Sequence, residues 1–229
     1  MPGAPRAAFL FDLDGTLIDT VYQHVLAWRE ALDQGGIHLA VWRIHRRIGM
    51  SGGLFVNALL RETGHQIAGD EEETLQKFHA AAYARLAAQV PPRPLPGAED
   101  LLAHLSRTRV PYAIATSGRP DSARLSLQAL HVPADVPIVT RDQVRYAKPD
   151  PDLFLAAAAR LSVVIEDSIV VGDSIWDLLA ARRARALAVG LLSGGYGQEE
   201  LERAGAFRVY QDPLDLLTHL DELGIRAPE

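Results

Sequence analysis

The sequence contains no cysteine among its 229 residues. Disulfide frameworks, thiolate metal sites and cysteine nucleophiles are therefore excluded. It also has no long basic run, and its formal net charge is −6, so it lacks the positive field that holds a nucleic-acid backbone. We expect no nucleic-acid partner, and the absence of cysteine agrees with a reducing, cytoplasmic location.

Long apolar runs are missing as well. The first apolar stretch, residues 7–11, stops at Asp12 and is too short for a signal-peptide core, and no later stretch approaches the length of a membrane span. We therefore predict a cytoplasmic protein without a membrane partner. With 48% hydrophobic and 23% charged residues, the composition is typical of a folded globular protein.

Short apolar runs alternate with helical patterns along most of the chain. The runs have the length and composition of strands covered on both faces, and they are residues 8–13, 112–116, 138–140, 169–171 and 187–191. Helical patterns between them occupy residues 97–107, 121–130, 151–161 and 175–185. This alternation predicts an α/β fold built on a doubly wound, Rossmann-like parallel sheet.

The alternation is interrupted once, where residues 18–90 show helical periodicity but no convincing strand. We predict an all-helical domain, residues 18–91, inserted into an α/β core formed by residues 1–17 and 92–229. The proline-rich stretch at residues 90–97 favours a stiff connection back to the core.

Several features of this arrangement have a structural and a functional interpretation. For His24 and Trp28, which share one stripe of the first inserted helix, packing inside the helical domain is favoured. The basic cluster at residues 43–47 is interpreted as a solvated helix face, with an arginine that reaches the substrate as the alternative. The glycine-rich residues 194–197 lack dinucleotide-binding spacing and are interpreted as a flexible loop.

Polar residues that follow the apolar runs carry the functional prediction, because ligands bind at the carboxyl ends of strands in open α/β sheets. They are Asp12, Asp14, Thr116, Ser117, Lys148, Asp173 and Asp177. Carboxylates, a hydroxyl and a cation at one edge match the needs of phosphoryl transfer, which requires in-line attack and neutralising charge. Such carboxylates also suit Mg²⁺, which prefers oxygen ligands.

Four segments resemble, in order, the motifs of the haloacid dehalogenase-like (HAD) hydrolase superfamily. They are FDLDGT at 11–16, ATSG at 115–118, AKPDP at 147–151 and VGDSIWD at 171–177. The resemblance covers essentially the whole chain, and the helical insertion is similar to the cap domain of the phosphoglycolate phosphatase and β-phosphoglucomutase branch. An Asp-Gly turn alone is common for structural reasons, but four motifs in order are hard to produce by chance.

The resemblance implies a catalytic role for each carboxylate. Asp12 would be the nucleophile that forms an aspartyl phosphate, and Asp14 would protonate the leaving oxygen and later deprotonate water. Mg²⁺ would be held by the Asp12 carboxylate, the Asp14 main-chain carbonyl and Asp173. Asp177 would ligate through water or orient that shell, although an acidic residue in a first helical turn also stabilises the helix without any function.

The remaining motif residues would bind the phosphate. The resemblance implies that the Thr116 hydroxyl and the Ser117 amide contact phosphate oxygens, and that Lys148 neutralises the phosphoryl group and pairs with Asp12. Glu166 and Asp167 also follow an apolar stretch, but the next strand begins too soon after them for a parallel crossover. We therefore expect these two residues in a connection and not at the active edge.

The predicted function is hydrolysis of a small organic phosphomonoester of the phosphoglycolate or sugar phosphate type. The resemblance implies that dehalogenases and phosphonatases lack an aspartate at the position of Asp14. The presence of Asp14 therefore disfavours both activities. The first alternative is a sugar phosphomutase of the β-phosphoglucomutase type, and a non-catalytic binding module is the second. The expected partner is a small phosphorylated metabolite, and both a monomer and a homodimer remain open.

Overall fold

The computed structural model describes residues 7–50, 52–63 and 70–225. Its strands are β1 Ala8–Phe11, β2 Tyr112–Ala115, β3 Ile138–Val139, β4 Ser168–Gly172, β5 Leu187–Leu191 and β6 Arg208–Tyr210. They form one six-stranded sheet in the order β3-β2-β1-β4-β5-β6, and every neighbouring pair is parallel. The predicted α/β fold with a doubly wound parallel sheet is thereby confirmed.

The helices lie between the strands and in one long insertion after β1. They are α1 Val21–Gln34, α2 Val41–His45, α3 Gly52–Thr63, α4 Glu71–Gln89, α5 Ala98–Arg107, α6 Pro120–Ala129, α7 Asp152–Leu161, α8 Ile175–Ala184, α9 Gln198–Ala204 and α10 Pro213–Thr218. Within the described ranges, none of these helices combines the length and the apolar character needed to cross a bilayer.

The strands of the core alternate their side chains between two apolar layers, as pleating requires. Phe9 and Phe11 face the layer that contains Leu101 of α5 and Leu216 of α10. Leu10 faces the opposite layer, which α7, α8 and α9 supply with Phe154, Leu178 and Leu201, among others. Both faces of the sheet are therefore covered, which explains why the strands read as continuous apolar runs.

The strand order reverses at β1. From β1 the chain moves outward to β2 and β3 on one side, and later to β4, β5 and β6 on the other. Such a reversal opens a crevice at the carboxyl ends of the two central strands. Asp12 follows β1 and Asp173 follows β4, and the pairing of Phe11 with Val171 brings these two strand ends level.

The inserted helices α1 to α4 have an apolar cluster of their own, which includes Trp28, Ile44, Phe55 and Leu75. The two connections to the core are hydrogen-bonded to each other: Asp19 N donates to Arg93 O at 2.9 Å, and Leu95 N donates to Leu17 O at 2.9 Å. A separate cluster and adjoining connections support the predicted division at residues 17/18 and 91/92, which we retain as a proposal.

The structure also locates the acidic pair that resembled a second active edge. Glu166 and Asp167 lie in the short 3-10 helix Ile165–Asp167, directly before β4, and both are exposed. They belong to the connection between α7 and β4, as the spacing argument predicted.

Candidate active site

Three carboxylates converge where the strand order reverses. Asp12, Asp173 and Asp177 each offer an oxygen, and these oxygens lie within 4.8 Å of one another. The three residues are 4%, 3% and 0% exposed. Ionised carboxylates that are this close together and this well shielded from water repel one another unless a cation is near. The cluster is therefore stable in its ionised form only with positive charge beside it.

Lys148 supplies part of that charge. Its side chain is fully buried, its ammonium group contacts the Asp12 carboxylate, and its Nζ lies 2.8 Å from Asp177 Oδ1. Burial acts to lower the pKa of Lys148, but the two carboxylates outweigh it and hold the pKa above its ordinary value. The lysine is therefore charged while it faces both acids.

One ammonium group does not balance three carboxylates. Burial raises the pKa of Asp12 to about 7, against the opposing effect of Lys148, and burial with the charges of Asp177 and Asp12 raises the pKa of Asp173 well above its usual value. When all three carboxyl groups are ionised, three carboxylates less one ammonium group leave an excess of two negative charges, which one divalent cation would balance. Oxygen donors and charge thus both fit the predicted Mg²⁺.

Asp177 uses its two oxygens differently. Oδ2 accepts hydrogen bonds from Ser174 N at 3.2 Å and Ser174 Oγ at 2.5 Å, which forms a capping box at the start of α8. Oδ1 faces Lys148. The helix-terminal interpretation of Asp177 is thus correct, while its predicted contact with the metal shell stays a prediction.

Asp173 is held by side-chain and backbone contacts. Thr16 Oγ1 donates to Asp173 Oδ1 at 2.8 Å, and Gly15 and Gly194 pack against the same carboxylate so closely that a Cβ at Gly194 would lie 1.8 Å from Asp173 Oδ2. The interpretation of residues 194–197 as a flexible loop is therefore wrong for Gly194, which packs against the site.

Asp14 lies beside the carboxylate cluster with partners of its own. Its Oδ1 accepts a hydrogen bond from Thr20 Oγ1 at 2.6 Å and lies 3.4 Å from His24 Nε2. Burial acts to raise the pKa of Asp14, but His24 and Thr20 together lower it. Thr20 and His24 thus hold the Asp14 side chain beside the three clustered carboxylates and not among them.

The predicted phosphate-binding residues follow β2. Thr116 is buried and its Oγ1 accepts a hydrogen bond from Gly118 N at 2.9 Å, while Ser117 Oγ donates to Gly49 O at 3.0 Å. Together with Asp12 and Asp14 they line a cavity of about 540 Å³ between the core and the inserted helices. The structure therefore brings every sequence-predicted site residue to one place, with Lys148, Asp173 and Asp177 clustered around Asp12 at the edge of the cavity.

Comparison with known proteins decides the family, since a model described as haloacid dehalogenase-like hydrolase matches residues 7–185. The chain belongs to the haloacid dehalogenase-like hydrolase family. The match spans both the core motifs and the inserted helices, so the resemblance stated from the four motifs is confirmed. Its membership in this family identifies the HAD-like hydrolase as an enzyme.

Individual relatives cover most of the chain. It is 33% identical to hexitol phosphatase A of Escherichia coli over 72% of this chain and 74% of that protein. It is 31% identical to beta-phosphoglucomutase of Bacillus subtilis over 93% of this chain and 92% of that protein. A solved hydrolase from Pseudomonas syringae is 57% identical, has a TM-score of 0.92, and matches 95% of this chain and 99% of that one.

The inserted helices form one wall of the cavity, here called the cap-side wall. This wall contains residues that the sequence analysis missed or interpreted differently. His24 packs on Tyr83, with ring centroids 4.1 Å apart, but it also reaches Asp14, so packing alone does not describe it. His24 Nδ1 lies 3.2 Å from His79 Nε2 on α4. Burial and the neighbouring His24 lower the pKa of His79 well below its usual value. Nothing in the periodicity of α4 distinguishes His79.

His45 and Arg46 of the basic cluster at residues 43–47 dock on the core, so the solvated-face interpretation is wrong for these two, whereas Arg43 is exposed as that interpretation predicts. Arg46 forms an ion pair with Glu200, and its main-chain carbonyl accepts hydrogen bonds from Trp176 Nε1 at 3.2 Å and Tyr196 OH at 2.9 Å. His45 Nε2 donates to Gly194 O at 2.7 Å. Of this cluster, Arg47 lines the cavity, as the functional alternative requires of one arginine.

Proposed function

We propose that this HAD-like hydrolase is a magnesium-dependent phosphatase that hydrolyses a small organic phosphomonoester through an aspartyl phosphate. The observation that carries the proposal is the buried cluster of three carboxylates with Lys148, at the edge of a cavity sized for a small molecule. The relative named hexitol phosphatase A supports a phosphorylated metabolite as substrate.

Asp12 is the proposed nucleophile. It lines the cavity at the end of β1, and its contact with Lys148 orients it. One Asp12 oxygen attacks phosphorus in line, the bond from phosphorus to the substrate oxygen breaks, and the phosphoryl group resides on Asp12. Thr116, Ser117 and Lys148 are proposed to hold the phosphoryl oxygens during this transfer.

Asp14 is the proposed general acid and base. It lines the same cavity as Asp12, and Thr20 and His24 fix its carboxyl group. Asp14 gives a proton to the departing substrate oxygen. It then takes a proton from the water that attacks the aspartyl phosphate, and phosphate leaves as the bond from phosphorus to Asp12 breaks.

Asp12 and Asp173, with the main-chain carbonyl of Asp14, are the proposed holders of Mg²⁺, and Asp177 orients the shell. When bound, the cation neutralises charge on the phosphoryl group and on the carboxylates. The charge excess of the buried cluster supports this assignment. We retain the cytoplasm as the predicted location.

A sugar phosphomutase is the second candidate, because a relative named beta-phosphoglucomutase matches almost the full chain. A mutase uses the same aspartyl phosphate but returns the phosphoryl group to a sugar hydroxyl. Phosphate release and sugar phosphate isomerisation therefore distinguish the two reactions. A non-catalytic module is disfavoured because Asp12, Asp14 and Lys148 are all present.

The test measures phosphate release from phosphoglycolate, sugar and polyol phosphates, nucleotides and an aryl phosphate, with Mg²⁺ and with excess chelator. We expect magnesium-dependent release that Asp12→Asn reduces by about three orders of magnitude or more, because the nucleophile is lost. Asp150→Asn is the matched control, since Asp150 is paired with Arg183 on the surface. Full activity in chelator, or a near-normal rate for Asp12→Asn, contradicts the proposal.

A further inference from the structure

On the cap-side wall of the cavity, two side-chain amides hydrogen-bond to the carboxylate of Glu72. Glu72 and Gln76 of α4 line the cavity. Glu72 Oε2 accepts a hydrogen bond from Asn57 Nδ2 at 3.3 Å, and Glu72 Oε1 accepts one from Gln76 Nε2 at 3.0 Å. Each carboxylate oxygen can accept more than one hydrogen bond. Glu72 therefore keeps acceptor capacity toward the cavity while its orientation is fixed.

These contacts continue to the core. Arg119, just past Ser117, donates through Nη2 to Gln76 Oε1 at 3.4 Å. The side chains of Asn57, Glu72, Gln76 and Arg119 thus form a polar chain from the inserted helices to the loop after β2. The polar chain borders the space that the part of a substrate beyond its phosphate must occupy.

An aromatic surface accompanies the polar chain. Trp28 and Phe55 both line the cavity, and their ring centroids are 4.2 Å apart. Both rings are almost fully buried, so they contribute an apolar surface and not free ring faces. A wall that combines an apolar surface with an oriented acceptor suits a molecule that presents C–H groups and hydroxyl groups together. A polyhydroxylated carbon chain has this chemistry.

The cations that line the cavity around the polar chain all have contacts of their own, and Arg47 is among them. Lys77 is paired with Glu73 at 2.9 Å, and Arg141 donates to two main-chain carbonyl groups in its own loop. Arg119 is engaged with Gln76. A substrate carboxylate placed against Glu72 would face a like charge, and like charges placed opposite each other in a partly closed site are costly.

We infer that Glu72 is a specificity-determining residue, which selects phosphomonoesters of neutral polyhydroxylated chains and rejects those whose chain carries a carboxylate. Glu72, oriented by Asn57 and Gln76, accepts hydrogen bonds from substrate hydroxyls. This inference rests on the proposed phosphatase activity and narrows its substrate class. Phosphoglycolate, whose short chain ends in a carboxylate, is disfavoured by it.

The test compares kcat/KM for D-glucitol 6-phosphate and 6-phospho-D-gluconate, which differ only in a hydroxymethyl group against a carboxylate at carbon 1. We expect the wild type to prefer the glucitol ester by about tenfold or more, the effect of one opposed like charge. In Glu72→Gln, which keeps the shape and removes the charge, we expect the ratio to approach one. 4-Nitrophenyl phosphate, whose leaving group carries neither a hydroxyl chain nor a carboxylate, is assayed alongside to report hydrolysis at the reaction centre.

Glu30→Gln is the matched control, because Glu30 belongs to the same inserted helices but pairs with Arg85 on the surface, and we expect it to keep the wild-type ratio. A wild-type enzyme that favours 6-phospho-D-gluconate overturns the inference and points to Arg47 as a carboxylate-binding group. Equal losses on both esters in Glu72→Gln overturn it as well. If Mg²⁺ supports no hydrolysis of any substrate, including the aryl phosphate, the proposed function itself fails.

Discussion

At the scale of single residues, the site is built from charges that are expensive to bury. Three acids and one lysine lie almost entirely out of water, where each charge is tolerated only because another balances it. Replacing such a group by an apolar one of similar size is often neutral or stabilising in proteins. The arrangement is therefore better explained by binding an anionic ligand and a cation than by stability.

Lys148→Ala tests this charge balance. The change leaves Asp12 and Asp177 buried without their shared cation, so we expect the free energy of unfolding to fall by about 3–5 kcal/mol. Urea denaturation in the absence of divalent cations measures it. Lys77→Ala is the control, since Lys77 pairs with Glu73 on an exposed helical face and should cost about 0–1 kcal/mol. Similar losses for both variants would contradict the buried-pair argument.

Gly194→Ala tests whether the tight packing of Asp173 matters for the cation. The added Cβ would lie 1.8 Å from Asp173 Oδ2 and 2.7 Å from its Cβ, so the side chain or the loop must shift. We expect Mg²⁺ affinity, measured by calorimetry, to fall at least about tenfold, as for other changes that disturb ligand orientation.

Gly197→Ala provides the matched control in the same loop. A Cβ at Gly197 would make its nearest contact at 3.5 Å, with Glu200 Oε2, which is ordinary van der Waals contact. We expect Mg²⁺ affinity close to the wild-type value for this variant. Unchanged affinity in Gly194→Ala would show that the loop yields without moving Asp173.

At the scale of elements, α2 and the segment after it hold the inserted helices against the core. The ion pair of Arg46 with Glu200 is accompanied by stacking of the guanidinium group over the Tyr196 ring at 4.3 Å. Trp176 and Tyr196 also bind the Arg46 carbonyl. These contacts hold the inserted helices against the core, and we expect them to weaken if the cavity opens for exchange of substrate and product.

Glu200→Gln and acidification should weaken the same contact. The hydrogen bond from Arg46 lowers the pKa of Glu200 below its ordinary 4.5, so the contribution of this pair is complete above pH 4.5 and is lost as the pH falls through the lowered value. The pair is partly exposed, and about 0.2–1 kcal/mol is expected.

Hydrogen exchange of the amides of α2 measures this contribution. In Glu200→Gln we expect faster exchange at pH 7, and a smaller loss of protection on acidification from pH 7 than the wild type shows. Glu202→Gln on the same helix serves as control, because the side-chain hydrogen bond described for Glu202 is with Gln198 of its own helix and not with the inserted helices. Equal pH dependence in wild type and Glu200→Gln would contradict the assignment.

The elements also show what the sequence could and could not predict. The apolar runs located β1 to β5 within two residues at each end, because strands buried on both faces have an unbroken apolar signal. The edge strand β6 was missed, since it has three residues and begins with the exposed Arg208. The four motifs located the acids and Lys148. His79 and Glu72 could not be located in this way, because their contacts form only when α4 packs against α1, α3 and the core, and local sequence patterns do not predict that packing.

At the scale of the whole molecule, bound Mg²⁺ should stabilise the fold. A ligand that binds only the folded state at 100 times its Kd adds about 2.7 kcal/mol at 25 °C. We therefore expect thermal unfolding at a higher temperature with Mg²⁺ than with chelator. In Asp173→Asn the shift should be largely lost, and a full shift in that variant would place the cation elsewhere.

The paired connections on either side of the inserted helices have an evolutionary consequence. Because Leu17, Asp19, Arg93 and Leu95 hydrogen-bond to one another, the insertion leaves and re-enters the core at a single point. The entropic cost of closing the inserted segment rises only slowly with its length, so insertions of different length are tolerated. Replacing the inserted helices leaves the strands that position Asp12 and Asp173 in place. The same core could therefore acquire a new substrate range by accepting a foreign helical insertion between residues 19 and 93, provided that its first turns again hold the Asp14 carboxyl group as Thr20 and His24 do.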